Sequence, residues 1–346
     1  MPGNEGGNSD RILTSLGNYR DFYEQVKASR ICIVGGYGNQ GRSQALNLRD
    51  SGFNVVVGNI DDSYAEIARK DGFRVMGIQD AVKLSDIIFF LIPDEVQASV
   101  FESDIRPSLS KGKTIVFASG YNYFYGFVSP PPDVNVIMIA PRMIGWGGVR
   151  DVYVRGMGFP ALVAVGQDAD GRAEGIMLSL CEGLGIFRSG GCAVRSSFRE
   201  ETLVDLLTEH SWAGAMLFLF RAYYDVATSL GASPEAVILE LYGSGELAEI
   251  AESMRNMGLF KQLRTHSTTS QYGQLTRGPL YVTDDVRKTL YNEAIKILNG
   301  EFAREWHQEQ VSGGTVLRMS LRLSSEHPME REEERLYRIL GGREGN

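Results

Sequence analysis

The sequence predicts an α/β domain built on a parallel sheet, followed by an all-α domain. Three observations carry this. Short, largely apolar runs recur through the first half, stretches of helical periodicity separate them, and β-runs disappear after about residue 195. Runs that are apolar throughout, rather than alternating, belong to strands covered on both faces. Strands alternating with helices give a parallel sheet. A chain of 346 residues suits two domains, since one core rarely grows past roughly 250 residues.

The elements follow in order. Residues 1–10 are polar and glycine-rich and read as a disordered tail. They lack the basic-then-apolar pattern of a signal peptide. Residues 11–29 read as one amphipathic helix, and 30–34 as the first strand. A helix over 41–52 ends at Ser51-Gly52. Residues 54–57 form a second strand and 63–71 a helix. Further strands are expected at 86–92, 114–117, 134–139 and 160–165. Tyr121, Tyr123 and Tyr125 alternate, as in a strand, or with Trp146 line a pocket. The domains expected are 1–194, 195–330 and a charged tail, 331–346. In the second, the run Met216-Leu217-Phe218-Leu219-Phe220 is too long for one amphipathic face, which predicts a helix buried all round.

Composition narrows the function. Hydrophobic residues make up 43% and charged residues 23%, with a net charge of −8. No basic excess is present to neutralise phosphates, so neither a nucleic acid nor an anionic membrane is the expected partner. No stretch approaches the ~20 apolar residues of a membrane helix. Cys32, Cys181 and Cys192 are too few and too scattered for a disulfide framework, and no CxxC pair suggests zinc. A cytoplasmic enzyme with a small-molecule substrate is expected.

The first strand runs into Gly36-Tyr37-Gly38-Asn39-Gln40-Gly41. This is GxGxxG between a strand and a helix, the context that makes it a dinucleotide fingerprint. Gly36 permits the turn, Gly38 lets the backbone approach the pyrophosphate, and Gly41 lets helix and strand pack closely. The helix N-terminus then faces the phosphates. The first domain therefore reads as a Rossmann domain. About 20 residues on, Asp61, Asp62 and Ser63 follow the second strand. An acid here accepts the ribose hydroxyls of NAD and repels a 2′-phosphate, and no arginine occurs before Arg69, which favours NADH over NADPH. Asp62 or Ser63 could instead cap the next helix, and Ser63 could contact a phosphate.

Several stretches together resemble the ketol-acid reductoisomerase family in its shorter bacterial form. They are GYGNQGRSQALNLRDSG (36–52), LIPDEVQ (91–97), FASGYNYFYG (117–126), DVNVIMIAPR (133–142) and VRGMGFPALVAVGQDADGRA (154–173). FREETLVDLLTEH (198–210), HSTTSQYG (266–273) and NGEFAREW (299–306) continue the likeness, which covers nearly the whole chain after residue 15. The resemblance implies a Rossmann domain, a knotted helical domain that forms a homodimer, NADH or NADPH, and two magnesium ions. It implies migration of an alkyl group within a 2-hydroxy-2-acetyl acid, then reduction of the ketone. It places Pro93 at the cofactor and Ser267 at the substrate.

Asp205 and Glu209 match the family's first metal-binding pair. At i and i+4 of a helix their Cβ atoms lie on one face, about 6 Å apart, and hard carboxylate oxygens suit magnesium. The chain departs from the family elsewhere. Glu240 aligns with the first acid of the second pair, but Ser244 occupies its i+4 position, and Glu246, six residues on, lies about 120° away round a helix. Ser119 stands where the family has histidine. Arg142 stands where it has lysine, and an arginine cannot give up its proton. His210 is either a proton donor or an ordinary packed histidine. Alkyl migration needs Lewis-acid polarisation and proton handling, whereas hydride transfer needs mainly the cofactor. These departures favour a reductase acting on a C=O or C=N bond of a different small substrate without migration. The alternatives are a genuine ketol-acid reductoisomerase and a non-catalytic dinucleotide-binding protein.

Overall fold

The structure, a computed structural model, describes residues 11–34 and 37–341. The expected contact at Gly36 and the expected tail at 1–10 lie outside the described residues, as do the side chains of Asn39 and Trp146. The chain divides into two compact units, 1–204 and 205–346. The boundary read at 194 falls inside the last strand, and the helix beyond it still packs on the sheet through Phe198, whose ring lies 6.0 Å from that of Phe117.

The first unit carries strands β1 (Ile12–Leu13), β2 (Arg30–Val34), β3 (Asn54–Gly58), β4 (Arg74–Met76), β5 (Ile87–Phe90), β6 (Thr114–Phe117), β7 (Asn135–Pro141), β8 (Pro160–Gln167) and β9 (Cys192–Arg195). Its helices are α1 (Arg20–Ala28), α2 (Asn39–Asp50), α3 (Ser63–Lys70), α4 (Ile78–Leu84), α5 (Asp94–Val100), α6 (Tyr121–Phe124), α7 (Arg150–Val154), α8 (Ala173–Leu184) and α9 (Phe198–Thr208), whose last turn begins the second unit. Among the described residues the strands form one sheet, ordered β1-β9-β8-β7-β6-β5-β2-β3-β4. It is mostly parallel; β7–β8 and β1–β9 pair antiparallel.

Both faces of the sheet are covered, which is why its strands are apolar throughout. Ile31 and Ile33 enter one core layer with α2 and α8, and Cys32 and Val34 enter the other with α4. Register follows from this alternation: Ile33 lies opposite Val57 on one side and Phe89 on the other. The chain order reverses between β2 and β5, and that switch point opens a crevice at the carboxyl ends of the strands.

Two local expectations are corrected. Residues 11–29 are not one helix: Ile12 and Leu13 pair with Val194 and Ala193, and α1 begins only at Arg20. Tertiary pairing wins there over local periodicity. The alternating tyrosines are helical, not extended. Tyr121 and Tyr125 meet edge-on at 4.9 Å, one turn apart, while Tyr123 turns to Phe198 at 4.5 Å.

The second unit is helical: α10 (Gly214–Ser229), α11 (Pro234–Ile238), α12 (Glu246–Met257), α13 (Thr268–Arg277), α14 (Asp284–Leu298), α15 (Glu301–Val311), α16 (Thr315–Ser325) and α17 (Pro328–Leu340). The segment read as a charged tail is largely α17. Its Met329 and Leu336 are buried with Tyr224 and Ile238. Helix α10 is not buried all round within this chain: Leu217 and Phe218 are 66% and 67% exposed.

One carboxylate ties the glycine turn to its surroundings. Asp71, just after α3, accepts the Tyr37 hydroxyl at 2.8 Å and Arg42 at 2.8 and 3.2 Å. Its carbonyl accepts Arg49 at 2.6 Å. Partial burial pushes the Asp71 carboxyl up, but hydrogen bonds from Arg42 and Tyr37 outweigh this and hold it below its usual value. A depressed carboxyl stabilises the fold above its unfolded pKa, and that contribution fades as pH falls through the lower folded value. Asp71→Asn is therefore expected to lower the melting temperature at pH 7 by roughly 3 to 8 °C. The gap from wild type should close below about pH 4. Calorimetry across pH checks this; a gap that persists unchanged to pH 2 would assign the loss to something other than the charge.

Candidate active site

The crevice is built first from the glycine turn. Gly38 begins α2 in extended conformation, and no side chain caps the helix. Free N–H groups at the carboxyl end of β2 suit a pyrophosphate. Tyr37 is 1% exposed and its hydroxyl is on Asp71, so its side chain lies away from the crevice and only its backbone is offered. Gln40 donates to the Met143 carbonyl at 3.1 Å, fastening α2 to the segment after Arg142. Gly41 is buried. Pro93 is exposed, directly before α5 and beyond the end of β5.

The loop after β3 resolves an ambiguity of the sequence. Asp62 Oδ1 accepts the Ala65 N–H at 2.9 Å and the Asn59 side chain at 2.8 Å, so Asp62 is the N-cap of α3. Ser63 is that helix's first residue. Asp61 remains as the presented acid. A cavity of about 570 Å³ beside it is lined by Asn59, Asp61, Arg69, Met76 and Ile78, among others. Its mixed polar and apolar wall fits the adenosine half of a dinucleotide.

At the ends of β6 and β7 a buried carboxylate organises the site. Glu201 on α9 is fully buried. Its Oε1 accepts Arg142 Nη2 at 2.7 Å, and its Oε2 accepts the Gly120 N–H at 2.6 Å. Sequence reasoning named Glu201 only within a motif and missed its role. The available signal was its position one helical turn before Asp205. Ser119 Oγ accepts the Tyr121 N–H at 3.2 Å, so this hydroxyl helps start α6. Asn122 donates to Asp94 at 2.8 Å and fastens that loop to α5.

In the second unit, Asp205 lies in the last turn of α9 and Glu209 opens the π-helical turn Glu209–Ala213. Partial burial, and then the charge of Asp205, push the Glu209 carboxyl up. Such a pair gains from a divalent cation, so the residues fit magnesium. Glu240 is exposed in the turn Leu239–Gly243. Gly245, at φ +88°, interrupts the helix before Glu246 and separates these two acids. Among the described residues no group of three or more His, Cys, Asp or Glu is gathered to hold a metal. His210 packs against Phe302 at 4.2 Å and lies 3.9 Å from Glu293. Burial lowers its pKa. Ser267 caps α13, accepting the Ser270 N–H at 3.2 Å.

The family model "Acetohydroxy acid isomeroreductase, NADPH-binding domain" matches residues 25–190, and "Ketol-acid reductoisomerase, C-terminal domain" matches 198–341. The chain belongs to the ketol-acid reductoisomerase family. It is 44% identical to "Putative ketol-acid reductoisomerase 3" of Saccharolobus solfataricus, over 92% of this chain and 95% of that one. It is 39% identical to "Ketol-acid reductoisomerase (NADP(+))" of Methanocaldococcus jannaschii, over 92% and 96%. The solved structure of an NADH-preferring ketol-acid reductoisomerase from an uncultured archaeon superposes with a TM-score of 0.85 at 31% identity, covering 95% of this chain and 98% of that one. The chain is an NAD(P)H-dependent oxidoreductase of this family. Relatives this similar carry the reductoisomerase name, which overturns the expectation of a reductase for a different substrate without migration. The physical reason lies at Arg142: a buried carboxylate holds its guanidinium as an ion pair, so the departure from lysine leaves an oriented donor group, not a loose side chain, at the site.

Gly120 tests this packing. An added Cβ would overlap the Phe198 carbonyl oxygen and lie 2.6 Å from Thr202 Oγ1. Gly120→Ala is expected to cost roughly 2 to 4 kcal/mol in urea unfolding. A cost below about 0.5 kcal/mol, the range of an ordinary surface change, would mean that the loop yields freely.

Proposed function

We propose that this chain is a working ketol-acid reductoisomerase that uses NADH. The observation that carries the reading is the Glu201–Arg142–Gly120 constellation, which holds an oriented guanidinium at the ends of β6 and β7. The reaction starts from a 2-hydroxy-2-acetyl acid. The bond from C2 to its alkyl group breaks as the alkyl group bonds to the neighbouring carbonyl carbon. The C2 oxygen gives up its proton and becomes a ketone, and the former carbonyl oxygen is protonated. The new ketone is then reduced to the hydroxyl of a dihydroxy acid.

The chain's own residues have distinct tasks in this reading. Arg142 holds the anionic end of the substrate, or the negative charge that develops on its oxygens, and Glu201 fixes the guanidinium plane. The uncapped N-terminus of α2 binds the pyrophosphate, and Asp61 accepts the adenosine ribose hydroxyls. Asp205 and Glu209 would hold magnesium, Glu240 of a second copy would add to that site, and Ser267 would orient the substrate. Bound NADH supplies the hydride. Bound magnesium supplies the Lewis acidity that polarises the reacting oxygens. The NADH preference of the solved relative supports the cofactor choice, although curated relatives carry NADP(+) in their names. We propose a cytoplasmic location; among the described residues no helix is long and apolar enough to cross a membrane.

Two measurements test this. The protein with 2-acetolactate, NADH and magnesium should oxidise NADH and yield the dihydroxy acid by NMR. Asp205→Asn should lower that turnover at least roughly a hundredfold. Reduction of the already rearranged 3-hydroxy-2-keto acid, with no turnover of 2-acetolactate, would overturn the reading. A homodimer is the assembly proposed, because Leu217 and Phe218 of α10 are exposed in one chain. Light scattering should report a dimer, and Phe218→Glu should shift it toward monomer; a monodisperse, active wild-type monomer would refute the assembly.

A further inference from the structure

The acid chosen for the ribose does not stand alone. Asp61 is 89% exposed at its side chain, and its Oδ1 lies 3.0 Å from Nη2 of Arg69, 51% exposed. Arg69 is remote in sequence, but it sits in the last turn of α3, and its long side chain reaches back over the helix to the loop. Both residues line the cavity beyond β3 and β4. The other acids at this rim are committed elsewhere. Asp62 caps α3, and Asp104 accepts Gln79 at 3.2 Å and Ser103 at 2.5 Å.

We infer that Arg69 is a latent receptor for the 2′-phosphate of NADPH, and that Asp61 is the lock that withholds it. This rests on the proposed placement of the adenosine half in this cavity. The argument is electrostatic. A ribose 2′-hydroxyl donates to the Asp61 carboxylate; a 2′-phosphate at the same place is repelled by it. The guanidinium is the complementary group, since its planar donors match phosphate oxygens in pairs. An ion pair exposed on both sides contributes little, so Arg69 leaves Asp61 readily when a stronger anion is offered. The carboxylate therefore does two things with one charge. It favours the unphosphorylated cofactor and neutralises the only cation among the residues lining this cavity. Removing that charge should release Arg69 for the phosphate and reverse the preference.

The test uses ADP-ribose and 2′-phospho-ADP-ribose, which carry the adenosine half but no hydride, titrated calorimetrically into the full chain. The variants are Asp61→Asn, Arg69→Gln and the pair together. Neither removes a buried group. Wild type is expected to bind ADP-ribose more tightly. Asp61→Asn should raise the affinity ratio in favour of the 2′-phospho fragment at least tenfold, and adding Arg69→Gln should abolish that gain. A gain that survives without Arg69, or an unchanged ratio in Asp61→Asn, overturns the inference. A wild-type preference for the 2′-phospho fragment would overturn the NADH reading alone; loss of that preference in Arg69→Gln would still uphold Arg69 as the receptor, and its retention would reject it. Failure of either fragment to bind any variant overturns both.

Discussion

The Glu201 carboxylate is the constraint on which the first unit's site depends. A carboxylate taken out of water must have both oxygens matched, or the fold loses the hydration it gave up. Here one oxygen meets a guanidinium and the other a backbone N–H. The consequences spread outward from that pairing. The Gly120 position cannot carry a Cβ, because the backbone of α9 comes too close. The end of β6 is drawn to α9, and Arg142 at the end of β7 is held by the same side chain. A lysine would present its charge as a point on a flexible stem, whereas arginine presents a plane that one buried partner can orient. The substitution that first suggests a lost reaction thus comes with the contact that gives it a fixed place.

A second carboxylate, Asp71, organises the cofactor side. The glycine turn contains a tyrosine, and a ring that size cannot share space with a pyrophosphate. It is buried instead, with its hydroxyl on Asp71, while Arg42 and Arg49 close on the same residue. The turn's side chains become anchors, and its backbone is left to the ligand. The loop between β3 and α3 shows the same division of labour. Asp62 is spent on the helix cap and Asp61 is presented. Neighbouring residues of one type therefore take opposite roles, decided by which one the start of α3 places against the free N–H groups.

The helical unit has a different character. Its core is small, centred on Tyr224, Val237, Ile238, Met329 and Leu336, and much of its apolar surface is exposed in one chain. The helix is interrupted at Gly245, so Glu240 and Glu246 belong to different helical segments. Within one chain the Asp205–Glu209 pair remains the closest-spaced of the acids singled out as metal ligands in the sequence, four residues apart at the end of α9.

The sequence by itself determined six of the sheet's strands, the glycine fingerprint and the family. Strands at 30–34 and 114–117 are legible to the residue, because burial on both faces writes them as unbroken apolar runs. The Asp205–Glu209 pair is legible because helix periodicity converts a spacing of four into a shared face. Short strands such as β1, β4 and β9 were not, since two to four residues carry no period and their pairing is made by distant partners. Nor was the placement of Tyr121, Tyr123 and Tyr125, whose alternation fits a strand as well as a helix. Only the tertiary structure decided that Glu201 is the buried partner of Arg142, that Tyr37 points away from the crevice, and that Arg69 returns to Asp61. Each depends on residues between 8 and 59 positions apart meeting in space. Charges separated along the chain carry no local signal of whom they will face; packing alone sets those distances, and with them the chemistry.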